Sequence, residues 1–369
     1  MTNAKFKRFN IDSGTFLREA WQQRPCLIPQ AIPNFVPPID ADTLAGLALE
    51  EDIESRIVGF EQGRWTLAQG PFALADFQRD YPWTLLVQGV DQWLPDVAAL
   101  RSCVDFLPSW RFDDVMVSYA VDGGSVGPHF DRYDVFLLQG EGQRLWRIGQ
   151  YCDDSTPQLE HESLHLLANF DCVEEYLLNP GDALYIPPGY AHWGVAQGEC
   201  TTFSLGFRAP TVADLSDRLL ESVVEKLSPT LLLEDQNSIS GDERPGEISQ
   251  RQVANARSAV LNAVQALDDG SWLGTLVSET KTPLDELNNE PLPQQLVLEP
   301  ASRVLWIENN LQIEVFCGGE SLLVDKALLP ALLALLRSEP LISDTVTSDL
   351  RPLLAFLWAR GGLADLEDL

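Results

Sequence analysis

The stretch GPHFDRYDVFLLQGEGQRLWRIG, residues 127–149, decides how this chain is interpreted. It places His129 and Asp131 two residues apart, and residues with this spacing in a β-strand point to the same side. An imidazole and a carboxylate that face one point are two of the three ligands of a 2-His-1-carboxylate metal site. The alternative is an ordinary hydrogen-bonded pair on a strand. Because the sequence contains only four histidines, this pairing requires an explanation.

The third ligand would have to be one of the remaining histidines, and His192 is the best candidate. It lies in NPGDALYIPPGYAHWGVA, where a Pro-Gly-Asp turn precedes a short strand. A Pro-Pro-Gly corner then leads to the next strand, which carries the histidine. His161 and His165 stand four residues apart and could share a helix face. They lack the H-E-x-x-H pattern of a helical metal site, so we expect surface or core side chains there.

Two further residues indicate what a metal at this position would bind. Residues 139–143, QGEGQ, are typical of a hairpin turn, which would lay residues 144–148 beside residues 133–138. A facial triad leaves three metal positions open, which 2-oxo acid oxygenases use for O₂ and 2-oxoglutarate. The planar guanidinium of Arg144 can bind the far carboxylate of 2-oxoglutarate with two hydrogen bonds, and Ser118 supplies a hydroxyl. The alternative is that Arg144 is a surface residue of the strand.

The rest of the chain predicts one β-rich region followed by helices. Between residues 110 and 210, short runs of β-branched and aromatic residues are separated by Gly, Pro or Asp. This pattern is typical of an antiparallel sandwich or barrel. After residue 210, TVADLSDRLLESVVEKL and SQRQVANARSAVLNAVQALDDG predict two helices with apolar faces, which we expect to form a homodimer. The final residues combine a predicted hairpin with helices, the layout of a small winged-helix-like module.

Composition excludes several classes of partner. The 369 residues carry 25 basic and 55 acidic side chains, a net charge of −30, which repels nucleic acid and anionic membranes and attracts basic proteins. None of the six cysteines forms a C-x-x-C pair, as expected of reduced thiols in a cytosolic protein. The N-terminal residues lack the apolar run of a signal peptide, and no stretch is apolar enough to span a membrane. We therefore expect a cytoplasmic protein.

SYAVDGGSVGPHFDRYDVFLLQGEGQRLWRIG, taken with PGDALYIPPGYAHWGVA, resembles the JmjC branch of the cupin superfamily. Within that branch, it is similar to the bacterial ribosomal oxygenases that hydroxylate an arginine of a large-subunit ribosomal protein (number sixteen). The second stretch also fits the cupin pattern G-x5-P-x-G-x2-H, as Gly181, Pro187, Gly189 and His192. The resemblance covers the first 210 residues, and the layout of the later residues agrees with it.

The resemblance implies a β-rich α+β protein in three parts. The first, residues 1–210, would be a double-stranded β-helix, the jelly-roll or cupin fold of JmjC domains. Residues 211–280 would form a helical dimerisation segment. Residues 281–369 would form a small winged-helix-like domain.

The resemblance also implies the chemistry of the site. The iron ligands of an Fe(II) centre would be His129, Asp131 and His192. Arg144 would bind the distal carboxylate of the co-substrate 2-oxoglutarate, supported by Ser118. With O₂ as the second co-substrate, the reaction would yield succinate, CO₂ and a hydroxylated side chain.

The expected substrate is a basic ribosomal protein, whose encounter with this acidic chain would be accelerated electrostatically. A target arginine would be recognised by carboxylates and aromatic faces. Tyr133, which shares the predicted strand face of Asp131, is the candidate for this pocket. Asp122, Asp134 or Asp182 could supply a carboxylate, although Asp182 is equally suited to capping a turn.

Other functions remain open at this point. The family also contains histidyl hydroxylases, which the motifs do not separate from arginyl hydroxylases. A non-enzymatic cupin-like scaffold that binds a ribosomal or regulatory partner is a second possibility. A third is a different cupin enzyme, such as an isomerase or a dioxygenase that uses no 2-oxo acid.

Overall fold

The computed structural model describes residues 6–161, 163–267, 269–280, 288, 290–300, 302–343 and 346–368. The chain divides into two compact units, Met1–Ala209 and Pro210–Leu369. Within the described residues, no helix combines the length and the apolar composition that are needed to cross a membrane.

The first unit consists mainly of β-strands, with a few short helices. Its helices are α1 (Ser13–Glu19), α2 (Ala41–Leu47) and α3 (Pro95–Ala98). Its strands are β1 (Cys26–Ile28), β2 (Ser55–Glu61), β3 (Arg64–Gln69), β4 (Trp83–Val87), β5 (Phe112–Ala120), β6 (Asp134–Gln139), β7 (Gln143–Tyr151), β8 (Glu174–Leu178), β9 (Ala183–Ile186), β10 (Tyr190–Gln197) and β11 (Cys200–Phe207). Short 3-10 helices cover Leu74–Phe77, Val90–Gln92, Ala99–Val104 and Ser109–Arg111.

These strands form two antiparallel sheets that pack face to face. The larger sheet has the order β1-β9-β6-β11-β5-β4-β2-β3, and the smaller has the order β10-β7-β8. Val135 and Leu137 on β6 share one apolar cluster with Trp146 and Ile148 on β7, so this cluster lies between the sheets. The architecture is the predicted β-rich jelly roll.

The other face of the larger sheet is covered by the N-terminal helical segments. Phe136 alternates with the inward-facing residues of β6 and therefore points to this outer side. The ring of Phe16 on α1 lies 5.5 Å from the ring of Phe136 and 4.9 Å from that of Tyr185 on β9. Asp12 caps α1 by accepting a hydrogen bond from the Thr15 N–H. A second apolar core therefore packs on the outer face of the larger sheet. Strands of this sheet also line the cavity described below.

The connection over residues 139–143 is not the predicted hairpin. β6 pairs with β9 and β11, whereas β7 pairs with β8 and β10, so the chain crosses here from one sheet to the other. The N–H of Gly140 donates to Thr201 O at 2.9 Å, and the N–H of Thr201 donates to Glu141 O at 3.0 Å. These bonds hold the crossing against the β10–β11 turn. The sequence pattern was misleading because a glycine-rich turn fits both connections, and the pairing of the strands is decided by distant partners.

The segment that carries His129 and Asp131 is a loop between β5 and β6, and the prediction of a strand was wrong. Two isolated bridges tie the loop to β10, one from Ser125 and one from His129. Gly127 has a φ of +83°, and a Cβ there would lie 2.7 Å from the Leu166 Cδ2 atom. A residue with a side chain would therefore be strained at this position and would displace its neighbour.

The described residues of the second unit form helices and two small sheets. Its helices are α4 (Val212–Lys226), α5 (Gln250–Gln265), α6 (Ser271–Ser278), α7 (Leu329–Leu336) and α8 (Arg351–Ala359). Its strands are β12 (Gln295–Leu298), β13 (Leu305–Asn309), β14 (Gln312–Cys317), β15 (Glu320–Asp325), β16 (Leu341–Ile342) and β17 (Leu363–Asp365). The sheets have the orders β13-β14-β15 and β16-β12-β17, and 3-10 helices cover Lys326–Leu328 and Leu366–Asp368.

The two predicted helices of this unit are present and both begin with capping boxes. Thr211 and Asp214 cap α4, and Ser249 and Gln252 cap α5, which supplies partners for the free N–H groups of the first turn. The predicted hairpin is formed by β13 and β14. The predicted boundary at residue 281 lies outside the described residues.

A buried carboxyl in the first unit gives a prediction about stability. Asp91 is 6% exposed, and its Oδ1 accepts a hydrogen bond from the Val115 N–H at 2.7 Å. Burial raises the pKa of Asp91 to about 6; nearby Asp114 adds to this, and the Val115 N–H opposes it. The folded chain therefore binds more protons than the unfolded chain between about pH 4 and pH 6, so this carboxyl destabilises the fold as the pH rises through that window.

Asp91→Asn should remove this cost while the side-chain oxygen continues to accept the same hydrogen bond. We expect the stability of the variant relative to the parent to be greater at pH 8 than at pH 5.5 by about 1 kcal/mol. Urea unfolding followed by fluorescence at the two pH values measures this difference. The same change at exposed Asp42 is the control, and a pH dependence equal in both variants would contradict the argument.

Candidate functional site

His129 and His192 face each other across a single antiparallel bridge. The N–H of His129 donates to His192 O at 3.1 Å, and the N–H of His192 donates to His129 O at 2.8 Å. The centroids of the two imidazole rings are 4.3 Å apart. His192 lies on β10, whereas His129 lies on a loop, so the bridge fixes the loop histidine against a regular strand.

Asp131 is brought to this pair by the corner that precedes β10. The N–H of Gly189, which has a φ of +84°, donates to Asp131 O at 2.8 Å. A Cβ on Gly189 would lie 2.7 Å from the ring of Tyr151, so the corner requires glycine. The carboxylate Oδ2 lies 3.5 Å from His192 Nε2. One ligand atom from each of His129, Asp131 and His192 lies within 4.8 Å of the other two.

The backbone holds both imidazoles in the tautomer that a metal requires. Nδ1 of His129 lies 3.0 Å from Gly127 O, and Nδ1 of His192 lies 3.0 Å from Tyr190 O. A carbonyl oxygen only accepts hydrogen bonds, so Nδ1 carries the proton and Nε2 keeps its lone pair. Contacts of this kind commonly orient metal-binding histidines.

The electrostatics of the cluster also suit a cation. Burial lowers the pKa of His192 to about 4, and the neighbouring His129 acts in the same direction, whereas Asp131 opposes the shift. His192 is therefore neutral at neutral pH, as a metal ligand must be. Two neutral nitrogens and one carboxylate oxygen are the donor set of the facial triad in non-haem Fe(II) oxygenases. The residues present therefore fit an iron centre.

Arg144 and Ser118 meet inside the jelly roll although they come from opposite sheets. Arg144 Nη1 donates to Ser118 Oγ at 3.5 Å, and Arg144 is only 3% exposed. Its Nε and Nη2 atoms have no hydrogen-bond partner in the described part of the chain. A buried donor without a partner costs roughly 1–3 kcal/mol. The guanidinium is thus arranged for a buried ligand that offers two acceptor oxygens.

One cavity of about 300 Å³ joins the cluster to the guanidinium. Its lining includes all six residues selected from the sequence: His129, Asp131, His192, Arg144, Ser118 and Tyr133. Tyr133 is half-buried, and the guanidinium of Arg208 lies 5.6 Å from its ring centroid. Burial raises the pKa of the Tyr133 hydroxyl, so this group is a neutral donor in the cavity wall.

The other two histidines lie outside the cluster. The described residues of their segment, 161 and 163–165, are not helical, so the shared helix face does not form. His161 is exposed, and its Nδ1 accepts a hydrogen bond from the Leu164 N–H at 3.0 Å. His165 is exposed at the cavity wall. Neither residue belongs to the three-residue group found among the described residues.

The three candidate carboxylates for substrate recognition have other partners. Asp134 is fully buried and binds the Arg111 guanidinium at 2.9 Å. Asp182 accepts hydrogen bonds from the backbone of Gln30 and Asn179, so it caps the turn. Asp122 accepts from the Gly198 N–H at 2.8 Å. None of them lines the cavity.

The sequence analysis missed several residues that line the cavity. The polar and polarisable ones are Arg56, Gln69, Met116, Trp146, Ser163, Thr202 and Ser204. Two of them could have been found from strand periodicity: Met116 precedes Ser118 by two residues, and Trp146 follows Arg144 by two residues. Arg56 on β2 and Thr202 on β11 could not be found in this way. Their strands reach the cavity only because of their places in the larger sheet, which the sequence pattern does not specify.

Comparison with known proteins agrees with this geometry. A family model described as the JmjC domain matches residues 99–215. The chain is 35% identical over 277 residues to the ribosomal protein uL16 3-hydroxylase of Escherichia coli (strain K12), which covers 75% of this chain and 74% of that protein. It is 36% identical over 260 residues to a probable ribosomal oxygenase of Haemophilus influenzae, which covers 69% of this chain and 64% of the relative.

A solved structure extends the likeness over nearly the whole chain. YcfD, a ribosomal oxygenase from Escherichia coli solved in complex with cobalt and 2-oxoglutarate, has a TM-score of 0.80 and 30% sequence identity. The match covers 97% of this chain and 99% of that chain. The JmjC family model, the sequence identity to the two relatives and the structural match to YcfD all agree. This chain therefore belongs to the JmjC family of ribosomal oxygenases.

Proposed function

We propose that this chain is an Fe(II)- and 2-oxoglutarate-dependent oxygenase that hydroxylates a side chain of a large-subunit ribosomal protein, with arginine as the preferred target. The observation that carries this proposal is the cavity that holds both a facial-triad cluster and a buried guanidinium with unused donors. The Escherichia coli relative is named a ribosomal protein uL16 3-hydroxylase, and YcfD was solved with cobalt and 2-oxoglutarate.

In this function, His129, Asp131 and His192 would hold the iron. Fe(II) with 2-oxoglutarate and O₂ supplies the oxidising power to hydroxylate an unactivated C–H bond, with release of succinate and CO₂. The chain contributes geometry: the backbone acceptors at Gly127 and Tyr190 keep both Nε2 atoms directed at one point. No side chain is required to act as a general base.

Arg144 and Ser118 would bind the distal carboxylate of 2-oxoglutarate. Nε and Nη2 of Arg144 are the two unused donors of a planar fork, which matches the spacing of two carboxylate oxygens. Apolar residues of the cavity wall, among them Leu86, Val135 and Leu137, would exclude water from the bound co-substrate. This would strengthen the ion pair between guanidinium and carboxylate.

The target side chain would enter beside Tyr133. The neutral hydroxyl and ring of this residue lie in the cavity wall and could contact a planar guanidinium. The net charge of −30 would attract a cationic ribosomal protein and disfavour direct binding of nucleic acid. The substrate is expected in the cytoplasm, and the six cysteines, all of which are free thiols, suit that reducing compartment.

The proposed organisation keeps three parts: a JmjC domain (1–210), a helical dimerisation segment (211–280) and a winged-helix-like domain (281–369). Helix α5 supports the dimer, because none of its described residues is buried. Val253, Val260 and Leu261 on this helix are each about half exposed or more. A helix with apolar residues and no buried face requires a partner surface.

Arg144→Ala should strongly weaken binding of 2-oxoglutarate and leave metal binding intact. The loss of two charge-assisted hydrogen bonds should weaken the affinity by about 100-fold or more. Titration calorimetry of Mn(II), followed by 2-oxoglutarate, measures both affinities. Arg147→Ala is the matched control, because Arg147 lies on the same strand but pairs with Glu175 outside the cavity.

The outcome of this titration also separates the rival functions. A parent chain that binds no metal would favour a cupin-like scaffold without enzymatic activity. A chain that binds Mn(II) but shows no 2-oxoglutarate binding would favour a cupin enzyme that uses no 2-oxo acid.

Incubation with the ribosomal protein uL16, Fe(II) and 2-oxoglutarate should add one oxygen atom to one peptide. Mass spectrometry with fragmentation should assign this oxygen to an arginine. His192→Ala should eliminate the product because the cluster would lose a ligand, whereas His161→Ala should keep it because His161 lies outside the cavity. Oxygen on a histidine would identify a histidyl hydroxylase instead.

The homodimer is tested by light scattering at micromolar concentration. We expect a species of about twice the 41.0 kDa chain mass, because α5 alone leaves its apolar residues in water. Val260→Glu should shift the population towards monomer, and Glu243→Gln in the preceding loop is the control. A parent chain that remains at 41.0 kDa would contradict the proposed dimer.

A further inference from the structure

Trp146 is a second buried donor close to Arg144 that lacks a partner in the part of the chain that the structure describes. It lies two residues after Arg144 on β7, is 4% exposed and lines the same cavity. Its indole Nε1 is buried and has no hydrogen-bond partner among the described residues. Buried indole N–H groups usually find an acceptor, so this one indicates that an acceptor is supplied by a ligand.

The position of the indole ring is fixed by its neighbours. Gly194 is the register partner of Trp146 on β10, and a Cβ there would lie 2.7 to 2.9 Å from Cζ3, Cη2 and Cε3 of the indole. The Cε3–Cζ3–Cη2 edge of the indole therefore lies against this glycine, and Nε1 is on the opposite edge of the ring system. The ring centroid is 5.7 Å from the Arg144 guanidinium carbon and 5.9 Å from the His192 ring.

The polar groups around Arg144 could all donate to a carboxylate. An ionised carboxylate only accepts hydrogen bonds and has about four lone-pair sites. Two nitrogen atoms of Arg144, Nε and Nη2, have no partner in the described part of the chain. Ser118 accepts from Arg144 Nη1, which leaves its hydroxyl hydrogen free to donate. The Trp146 N–H is a further donor that lines the same cavity.

We propose that Trp146 is a co-substrate-binding residue, whose Nε1–H donates a hydrogen bond to the distal carboxylate of 2-oxoglutarate. This inference rests on the proposed function, because it takes 2-oxoglutarate as the ligand of the cavity. It adds a role that charge alone would not reveal, since the donor is a neutral indole. Gly194 acquires a role as well, because it leaves the space that the indole occupies.

Trp146→Phe tests the proposal because it keeps an aromatic ring and removes only the N–H donor and the fused ring. Calorimetric titration of 2-oxoglutarate into the Mn(II)-loaded variant should show an affinity about tenfold lower than that of the parent. The affinity for Mn(II) should be unchanged. Trp83→Phe is the matched control: Trp83 is also a buried strand tryptophan, on β4 of the larger sheet, but it does not line the cavity, and its variant should bind 2-oxoglutarate like the parent.

Three results would overturn the proposal. One is an unchanged affinity of Trp146→Phe for 2-oxoglutarate. A second is a parallel loss of Mn(II) affinity, which would mean that Trp146 acts only by packing against His192. The third is an equal loss for 2-oxobutyrate, which lacks the distal carboxylate. If the parent chain itself binds no 2-oxoglutarate, the proposed function fails, and this outcome is distinct from the other three.

A measurement on the parent chain covers the case in which the variant does not fold. The chain contains ten tryptophans, and ¹⁵N-labelled indoles give separate N–H signals in NMR spectra. Saturating 2-oxoglutarate should move one indole proton of the Zn(II)-loaded chain downfield, as expected for a new hydrogen bond to a carboxylate. If no indole signal moves downfield, the proposal is wrong.

Discussion

The two hydrogen bonds exchanged by the backbones of His129 and His192 are the contact on which the site depends. These bonds connect an irregular loop to strand β10. They place the two imidazole rings with their centroids 4.3 Å apart. The same strand continues from the corner whose Gly189 N–H holds the Asp131 carbonyl. All three side chains of the cluster are therefore positioned by main-chain hydrogen bonds of their own or neighbouring residues.

The three residues of the cluster could be predicted from the sequence, but the backbone structure that brings them together could not. His129, Asp131 and His192 could be selected because the chain has only four histidines and because the two stretches that contain these residues resemble JmjC sequences. The supposed strand through His129 is a loop, and the supposed hairpin before Arg144 is a crossing between sheets. Both errors are of one kind: local patterns specify a turn or an extended segment, whereas strand pairing is specified by residues far away in the sequence.

The same limit explains which cavity residues were missed. Arg56 and Leu86 are register partners, and Leu86 in turn pairs with Ser118, so a row of residues across three strands forms part of the cavity wall. Nothing near Arg56 in the sequence indicates this neighbourhood. Trp146 was overlooked for a different reason, because an aromatic residue in a strand usually belongs to the core, and its unused N–H is visible only in three dimensions.

The crossing between β6 and β7 has a consequence for the order of events during folding. Because β6 and β7 enter different sheets, Arg144 reaches Ser118 only after both sheets have closed on each other, and the same closure is required before β10 can meet the loop of His129. Contacts that join such distant parts of a chain form late, since the loop-closure entropy must be overcome first. In a partly synthesised or partly folded chain, His192 is therefore not yet beside His129 and Asp131, and the three-residue cluster is incomplete. Iron would therefore bind only after the jelly roll has formed. The residues around the cavity would then shield the rest of the polypeptide from its redox chemistry.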